Sequence, residues 1–200
     1  MSWYAIGSFR HLILAHRFHR LRRSLGPSLP PGKGTPFKSL QTHQLQGYHV
    51  RAAVRSQSKA SSLPRSENLE IVTVPDIVAP DAYTSAIKNV TSVIHCASPY
   101  HFRVTDNERD LLLPAREGTL NILRAAAKET SVKRVIITSS FAALNQLGTD
   151  PYQQPPKVYD ESVWNPVTWE EAKSGVPRTA YQASKKFAEL AAVGISLLTF

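Results

Sequence analysis

Short apolar runs alternate with helical patterns along the chain downstream of Gln46, and this alternation limits the fold more than any other feature. It predicts strands at residues 48–54, 69–74, 92–96 and 133–139, and helices at residues 81–88, 110–129 and 180–192. Strands that alternate with helices form a parallel sheet, because each crossover helix returns the chain to the same edge. The predicted class is therefore α/β, with a doubly wound parallel sheet.

The positive charge is concentrated in the first quarter of the 200-residue chain. Residues 1–46 hold seven Lys or Arg and no acid, whereas the remaining 17 bases nearly balance 15 acids. We therefore expect a basic segment at residues 1–46 that is poorly ordered or unrelated to the rest, one α/β domain at residues 47–192 and a divergent tail at residues 193–200. A basic terminus without interleaved aromatic residues is weak evidence for nucleic-acid binding, so no such partner is expected.

The composition also limits the compartment and the cofactor class. The single cysteine, Cys96, excludes an internal disulfide and fits a reducing compartment such as the cytoplasm. The Arg-rich N-terminal segment leaves a mitochondrial transit peptide as an alternative. No apolar run approaches the roughly 18 residues that span a bilayer. The N-terminal histidines match no zinc pattern, so no metal is expected.

Charged residues follow two neighbouring predicted strands. Arg55 comes directly after the first of them, with Lys59 one turn further on, and this position reads the adenine ribose in nucleotide-binding sheets. A guanidinium there suits the 2′-phosphate of NADP, although a solvated arginine at a strand end is the simpler interpretation of Arg55 alone. Asp76 and Ile77 follow the next strand, where an adenine could lie, or where Pro75 and Asp76 form an ordinary turn.

Small and hydroxylated residues follow the other two strands. Ala97 and Ser98 end the third strand and would let a ligand approach the backbone closely. Ser140 follows the last strand, at the edge where open α/β sheets bind ligands. Each of these features has a structural explanation by itself, but all of them fall at one edge of one predicted sheet.

A tyrosine and a lysine stand four residues apart in Tyr181-Gln-Ala-Ser-Lys185, within a predicted helix. This spacing puts the phenol and the ammonium on one face of the helix. A nearby cation favours the phenolate, so the pair could hand a proton to a carbonyl oxygen. Such a pair also arises by chance, and its meaning depends on the surrounding motifs.

Together these motifs resemble the extended branch of the short-chain dehydrogenase/reductases, in the NAD-dependent epimerase/dehydratase group. Within that group they are most similar to dihydroflavonol 4-reductase-like enzymes of the fungal NADPH-dependent methylglyoxal and ketone/aldehyde reductase type. The similarity runs over about residues 47–190. Besides Ser140 and Tyr181-x-x-x-Lys185, it includes Gly47-Tyr-His-Val-Arg-Ala-Ala-Val-Arg-Ser56, His95-Cys-Ala-Ser-Pro-Tyr-His-Phe102, Glu108-Arg-Asp-Leu-Leu-Leu-Pro114, Gly118-Thr-Leu-Asn-Ile-Leu123 and Trp164-Asn-Pro166.

The resemblance implies a Rossmann-like fold, NADPH as cofactor and the reduction of a small ketone or aldehyde to an alcohol. Tyr181 would be the general acid, and Lys185 would assist it and bind the nicotinamide ribose. Ser140 would hydrogen-bond the carbonyl oxygen. The remaining implied residues divide into a cofactor set of Arg55, Lys59, Asp76, Ile77, Ala97 and Ser98 and a substrate set of Tyr100, Phe102 and Phe141.

The sequence departs from this family at both ends. The family's first strand and its Gly-x-x-Gly-x-x-Gly loop have no counterpart in residues 1–46, where only Trp3-Tyr-Ala-Ile-Gly7 could imitate a strand and one glycine. The similarity also fades near Leu190. We therefore expect an incomplete sheet without its first strand, no glycine loop, no C-terminal substrate lobe and little activity from this chain alone.

Two alternatives stay open at this point. An NAD-dependent sugar-nucleotide epimerase or dehydratase has the same Ser, Tyr and Lys, but Arg55 and the apolar Tyr100 and Phe102 favour a reductase. The other alternative is an inactive fragment or a binding module. The sequence does not indicate an oligomeric state.

Overall fold

The computed structural model describes residues 11–15, 48–63, 65–99, 103–145, 159–160 and 162–199. These residues divide into two compact units. The first holds the described residues up to Asp76 together with Tyr83–Cys96 and Ala126–Ile137. The second holds Ile77–Ala82 and the described residues of Ala97–Ala125 and Thr138–Phe200.

The first unit is built on a parallel sheet. Its strands are β1 (His11–Ala15), β2 (His49–Val54), β3 (Leu69–Thr73), β4 (Ser92–His95) and β5 (Arg134–Ile137). In the described part of the chain they lie in the order β3-β2-β1-β4-β5, and every neighbouring pair is parallel. This is the strand order of the dinucleotide-binding doubly wound folds. The predicted α/β class with a Rossmann-like parallel sheet is confirmed.

The central position of the sheet is filled, so the expectation of a missing first strand is wrong. Ile13 of β1 is in register with Arg51 of β2 on one side and with Val93 of β4 on the other. A central strand requires an extended backbone that forms hydrogen bonds on both of its edges. The apolar run His11-Leu-Ile-Leu-Ala15 provides this backbone, although no glycine follows it directly in the sequence. The alternative strand at residues 3–7 lies outside the described residues, and so do the other residues of 1–46 apart from β1, on which the expected absence of a glycine loop falls.

One face of β2 carries a buried cluster in the core of the first unit. Val50, Ala52 and Val54 alternate along the strand and are buried against Ala60 of helix α1 (Gln57–Ser61) and against Leu63. Alternation of this kind follows from the two-residue period of a strand.

Arg51 lies between these core residues in the sequence and is held by polar contacts. Its Nε pairs with Glu70 of β3 at 2.6 Å, and one Nη donates to the carbonyl oxygens of Ala86 and Lys88. The guanidinium therefore joins two strands and the turn before β4.

The segment at residues 81–88 is a series of turns, so the helix predicted there is wrong. The buried residues Tyr83, Ala86, Ile87 and Val90 do recur at the three- to four-residue spacing of a helix face. The backbone, however, is left-handed at Asp81 (φ 55°) and again at Asn89 (φ 60°). These left-handed residues stand at the start of the segment and directly after its end, and the backbone between them forms turns although its burial is periodic.

The second unit is mainly helical. A π-helical turn (Glu108–Leu112) leads into α2 (Leu113–Lys128), whose last three residues belong to the first unit, and a 3-10 turn (Phe141–Ala143), α3 (Trp169–Ser174) and α4 (Pro177–Thr199) follow. At the π turn, the Leu113 N–H donates to the carbonyl oxygen of Glu108, and Pro114 has no N–H to continue the ladder. The predicted helices at residues 110–129 and 180–192 are confirmed as α2 and α4, whereas α1 and α3 were not predicted.

The core of the second unit joins these helices. Leu112, Val167, Ala172 and Ala183 are buried together, with Trp169 and Phe187 packed against them. The Trp169 and Phe187 rings meet edge to face, with centroids 5.0 Å apart. No helix among the described residues is both long and apolar enough to cross a membrane.

Candidate active site

Helix α4 holds Tyr181 and Lys185 on one face. The helix begins at Pro177, whose fixed φ suits the first helical position. Ala180, Ala183 and Ser184 are fully buried, whereas Tyr181 and Lys185 are half-buried. The Lys185 Nζ lies 5.9 Å from the centroid of the Tyr181 ring. The structure thus brings this predicted pair together, and its catalytic role stays a prediction.

Ser140 lies at the start of the 3-10 turn that follows β5 in the sequence. Its backbone is extended (φ −149°, ψ 147°), and its Oγ accepts a hydrogen bond from the Ala142 N–H at 3.2 Å. A serine hydroxyl that accepts one bond can still donate its own proton. The Ser140 hydroxyl can therefore accept from the Ala142 N–H and still donate to a ligand oxygen.

A buried asparagine fixes the loop that contains this turn. Asn165 is fully buried, and its amide donates to the carbonyl oxygens of Ala142 (3.1 Å) and Asn145 (2.8 Å). Its Oδ1 accepts from the Val167 N–H at 3.0 Å, and its backbone N–H donates to the Ala143 carbonyl at 2.8 Å. Every polar group of this side chain is satisfied, as burial requires.

The same loop is bonded to the helix of the predicted proton donor. Gln182, the neighbour of Tyr181, donates from Nε2 to the carbonyl oxygen of Asn145 at 3.0 Å. Ser139, the neighbour of Ser140, donates from its hydroxyl to Glu189, which lies two helical turns after Tyr181. Residues 139–145 are thus attached to α4 at two points, on either side of Ser140 and Phe141.

Phe141 is the one described member of the predicted substrate set. The residue is 57% exposed, and its ring meets the Tyr159 ring edge to face, with centroids 5.0 Å apart. An exposed aromatic ring held by a second ring offers an apolar surface to a ligand. Tyr100 and Phe102 lie outside the described residues.

The predicted cofactor residues of the first unit follow β2 and β3. Arg55 comes directly after β2, next to Ser56, which caps α1 by accepting from the Lys59 N–H. Arg55, Lys59 and Asp76 are all exposed, so a ligand in solution can reach their charges. The exposed charges of Arg55 and Lys59 suit a phosphate group, and the carboxylate of Asp76 suits an adenine amino group.

The predicted cofactor residues of the second unit are Ile77, Ala97 and Ser98, all half-buried. The Ser98 Oγ is shielded from water and has no hydrogen-bond partner in the described part of the chain. A buried hydroxyl without a partner is costly, and a ribose or amide group of a bound dinucleotide would satisfy it. This orphaned atom fits a nicotinamide cofactor at the predicted position.

Charged groups join α3 to the π-helical turn. Glu108 accepts from Lys173 Nζ and from the Trp169 indole N–H, each at 2.9 Å, and these bonds lower the pKa of Glu108. Lys186 of α4 donates to the Val167 carbonyl at 2.9 Å, and partial burial lowers the pKa of its ammonium. These contacts tie residues 165–173 to both neighbouring helices.

Sequence reasoning did not assign a role to the asparagines and the glutamine that hold the site. Asn165 and Asn121 stood inside stretches that indicated the family resemblance, and Gln182 stood inside the Tyr181 motif. Polar residues within apolar stretches were the available signal, because a buried amide must find several partners. Those partners are distant in sequence, so the pattern could not identify them.

Comparison with known proteins agrees with this geometry. A family model described as NAD(P)H-binding matches residues 38–176. A putative oxidoreductase of Schizosaccharomyces pombe is 46% identical over 155 residues, which cover 73% of this chain and 45% of that protein. The NADPH-dependent methylglyoxal reductase of Saccharomyces cerevisiae is 40% identical over 157 residues, covering 74% and 45%.

A solved structure shows the same similarity. Yeast methylglyoxal/isovaleraldehyde reductase in complex with NADPH superposes with a TM-score of 0.74 at 37% identity, covering 80% of this chain and 48% of that one. The chain spans about half the length of the curated relatives that it matches. The predicted resemblance to the extended short-chain dehydrogenase/reductases is confirmed.

Proposed function

Because the chain belongs to the NAD(P)H-binding family, we propose that it serves the NADPH-dependent reduction of a ketone or aldehyde to an alcohol. The names of its relatives support this proposal, since they include NADPH-dependent methylglyoxal reductases of two yeasts. The relative solved with NADPH supports the choice of cofactor. The orphaned Ser98 hydroxyl supports a bound dinucleotide from the side of this chain.

One observation carries the proposal more than any other. The loop that holds Ser140 is bonded to the helix that holds Tyr181 and Lys185, through Gln182 on one side and Ser139 on the other. A hydroxyl donor and a phenol that act on one carbonyl oxygen must keep a fixed separation. The buried Asn165 amide supplies the rigidity that this requires.

The side chains divide the work by their chemistry. NADPH, when bound, supplies the hydride. Tyr181 donates a proton to the carbonyl oxygen, and the nearby ammonium of Lys185 stabilises the phenolate that remains. Ser140 donates a hydrogen bond to the same oxygen as negative charge develops on it.

The proposed binding residues complete this assignment. Arg55 and Lys59 bind the 2′-phosphate by charge, Ile77 packs against the adenine beside Asp76, and Ala97 and Ser98 bind the dinucleotide through backbone and hydroxyl. Phe141, with Tyr100 and Phe102, provides the apolar surface for a small carbonyl substrate. The charge, size and polarity of these side chains suit the phosphate, the adenine and the carbonyl substrate assigned to them.

Cofactor titration and hydride transfer test the proposal together. The central strand is in place, but the chain spans about half of its relatives' length. We therefore expect the purified chain to bind NADPH saturably and to transfer deuterium only slowly from deuterated NADPH to methylglyoxal, measured by mass spectrometry of the product. Tyr181→Phe should lower the transfer rate by about 100-fold or more while it leaves NADPH binding within about twofold. A folded chain that binds no NADPH would contradict the proposal.

Arg55→Ala tests the choice between the two nicotinamide cofactors. We expect this change to weaken NADPH about tenfold and NADH hardly at all, because only NADPH presents a 2′-phosphate to the guanidinium. Equal losses for both cofactors would argue against a phosphate contact. Tighter binding of NADH than NADPH by the unaltered chain would favour the epimerase or dehydratase alternative.

We also propose a cytoplasmic location, supported by the single Cys96 in the sequence. A C-terminal fluorescent fusion expressed in a fungal cell tests it. Diffuse fluorescence throughout the cytoplasm is expected, whereas fluorescence confined to mitochondria would indicate that the Arg-rich N-terminal segment is a transit peptide.

A further inference from the structure

Helix α2 holds the loop after β3 through one buried side chain. Asn121 is 9% exposed. Its amide nitrogen lies within hydrogen-bond distance of three consecutive carbonyl oxygens, those of Ile77 (2.9 Å), Val78 (3.1 Å) and Ala79 (3.0 Å), which share its two N–H donors. Bonds to three successive carbonyls fix the peptide planes of residues 77–79, so this loop cannot rotate without losing them.

Gly118 brings the helix backbone directly against the same loop. It lies three residues before Asn121 and therefore on the same face of α2. A Cβ at this position would stand 2.7 Å from Cδ1 and 3.1 Å from Cγ1 of Ile77. The absence of a side chain thus lets the Ile77 side chain rest on the helix, and any larger residue would displace it.

An arginine orients the Asn121 amide. Arg124 donates from one Nη to the Asn121 Oδ1 at 3.2 Å, and the same nitrogen lies 3.7 Å from Glu117. Because the amide oxygen accepts from Arg124, its nitrogen is directed toward the loop carbonyls. The result is one connected series of polar contacts from the surface of α2 to residues 77–79.

We propose that Asn121, supported by Gly118, is a positioning residue that shapes residues 77–79 to receive the adenine end of the cofactor. The proposal rests on the proposed function, in which Ile77 packs against adenine. Ile77 is half-buried, so one side contacts α2 while the other stays open to a ligand. A surface already fixed before binding loses little conformational entropy when an adenine packs on it.

Binding of 2′,5′-ADP, which contains the adenine and the 2′-phosphate but no nicotinamide, tests the proposal without turnover. Asn121→Ala should weaken 2′,5′-ADP about tenfold, measured by isothermal titration calorimetry. Asn107→Ala is the matched control. Its amide also donates to three carbonyl oxygens, but those belong to Ala172, Lys173 and Gly175 at the end of α3. We expect this control to lower the melting temperature and leave 2′,5′-ADP affinity unchanged.

Two milder variants keep the test decisive if Asn121→Ala fails to fold. Arg124→Ala removes a half-exposed side chain and should lower the affinity for 2′,5′-ADP by about twofold to threefold. Gly118→Ala should lower this affinity by a similar factor, because its added Cβ displaces the Ile77 side chain. Unchanged affinity in the folded variants would overturn the inference while leaving the proposed function intact. An unaltered chain that binds no 2′,5′-ADP would overturn both.

Discussion

Buried side-chain amides decide the geometry of the candidate site at the scale of single residues. Asn165 bonds four backbone groups through its side chain and its own N–H, and Asn121 bonds three. An amide has two donors and one acceptor with two lone pairs, so one buried asparagine can replace the backbone partners that a loop lacks. These residues shape loops that no helix or strand ladder shapes.

Removing the Asn165 side chain should lower the free energy of unfolding substantially. Asn165→Ala removes the donors to the Ala142 and Asn145 carbonyl oxygens and the acceptor of the Val167 N–H, and only the Asn145 carbonyl keeps another side-chain partner, Gln182. We expect a loss of about 3 kcal/mol. Urea unfolding followed by circular dichroism measures it. Asn165→Asp keeps the acceptor for the Val167 N–H but loses both donors, so it should also destabilise. A change below about 0.5 kcal/mol for the alanine variant would contradict this account.

At the scale of elements, α3 is held at both ends by polar contacts. Thr168 and Glu171 form a reciprocal capping box at its N-terminus. At the other end, the Asn107 amide donates to the last carbonyl oxygens, and Lys173 pairs with Glu108. A helix of six residues is too short to be stable by propensity, so these contacts and its packing hold it in place.

The Glu108 contacts predict a pH dependence. The hydrogen bonds from Lys173 and Trp169 lower the pKa of Glu108 below its ordinary 4.5. A lowered carboxyl pKa stabilises the fold above about pH 4.5, and that contribution is lost as the pH falls through the folded-state value. Glu108→Gln should therefore lower the urea midpoint at pH 7 and have a diminishing effect toward pH 3. The exposed Glu170→Gln is the control, and an equal effect of Glu108→Gln at both pH values would refute the prediction.

At the scale of the whole chain, the sheet of the first unit has two edges among the described residues, β3 and β5. The side chain of Ile136 on β5 is 39% exposed, although parallel strands are usually covered on both faces. An edge strand with exposed apolar residues is a template for pairing with another chain. The β5 edge is therefore the part of the sheet most prone to self-association.

A charge on this edge should reduce association. We expect Ile136→Lys to shift the chain toward monomer at high concentration, measured by light scattering after gel filtration at several loadings. Thr73→Lys adds the same charge at an exposed position of the opposite edge strand, β3, and serves as the control. If both changes act equally, net charge rather than the β5 edge governs association.

Strands and catalytic candidates could be predicted because their signals are local. Four apolar runs predicted β2 to β5 within two residues at each end, and the four-residue spacing of Tyr181 and Lys185 predicted their common face. The turns at residues 81–88 were predicted as a helix, because apolar periodicity records burial and not the left-handed backbone of Asp81 and Asn89. The short helices α1 and α3 were missed because capping side chains and packing, rather than periodicity, define them.

The amino-acid order by itself determined the α/β class, the family and the residue types at the strand ends, since all of these depend on neighbours within a few positions. Only the tertiary structure decided that His11–Ala15 is the central strand, because its pairing with β2 and β4 joins residues far apart in sequence. The roles of Asn121 and Asn165 were decided in the same way. A buried amide is defined by the partners that surround it, and those partners exist only once the chain has folded.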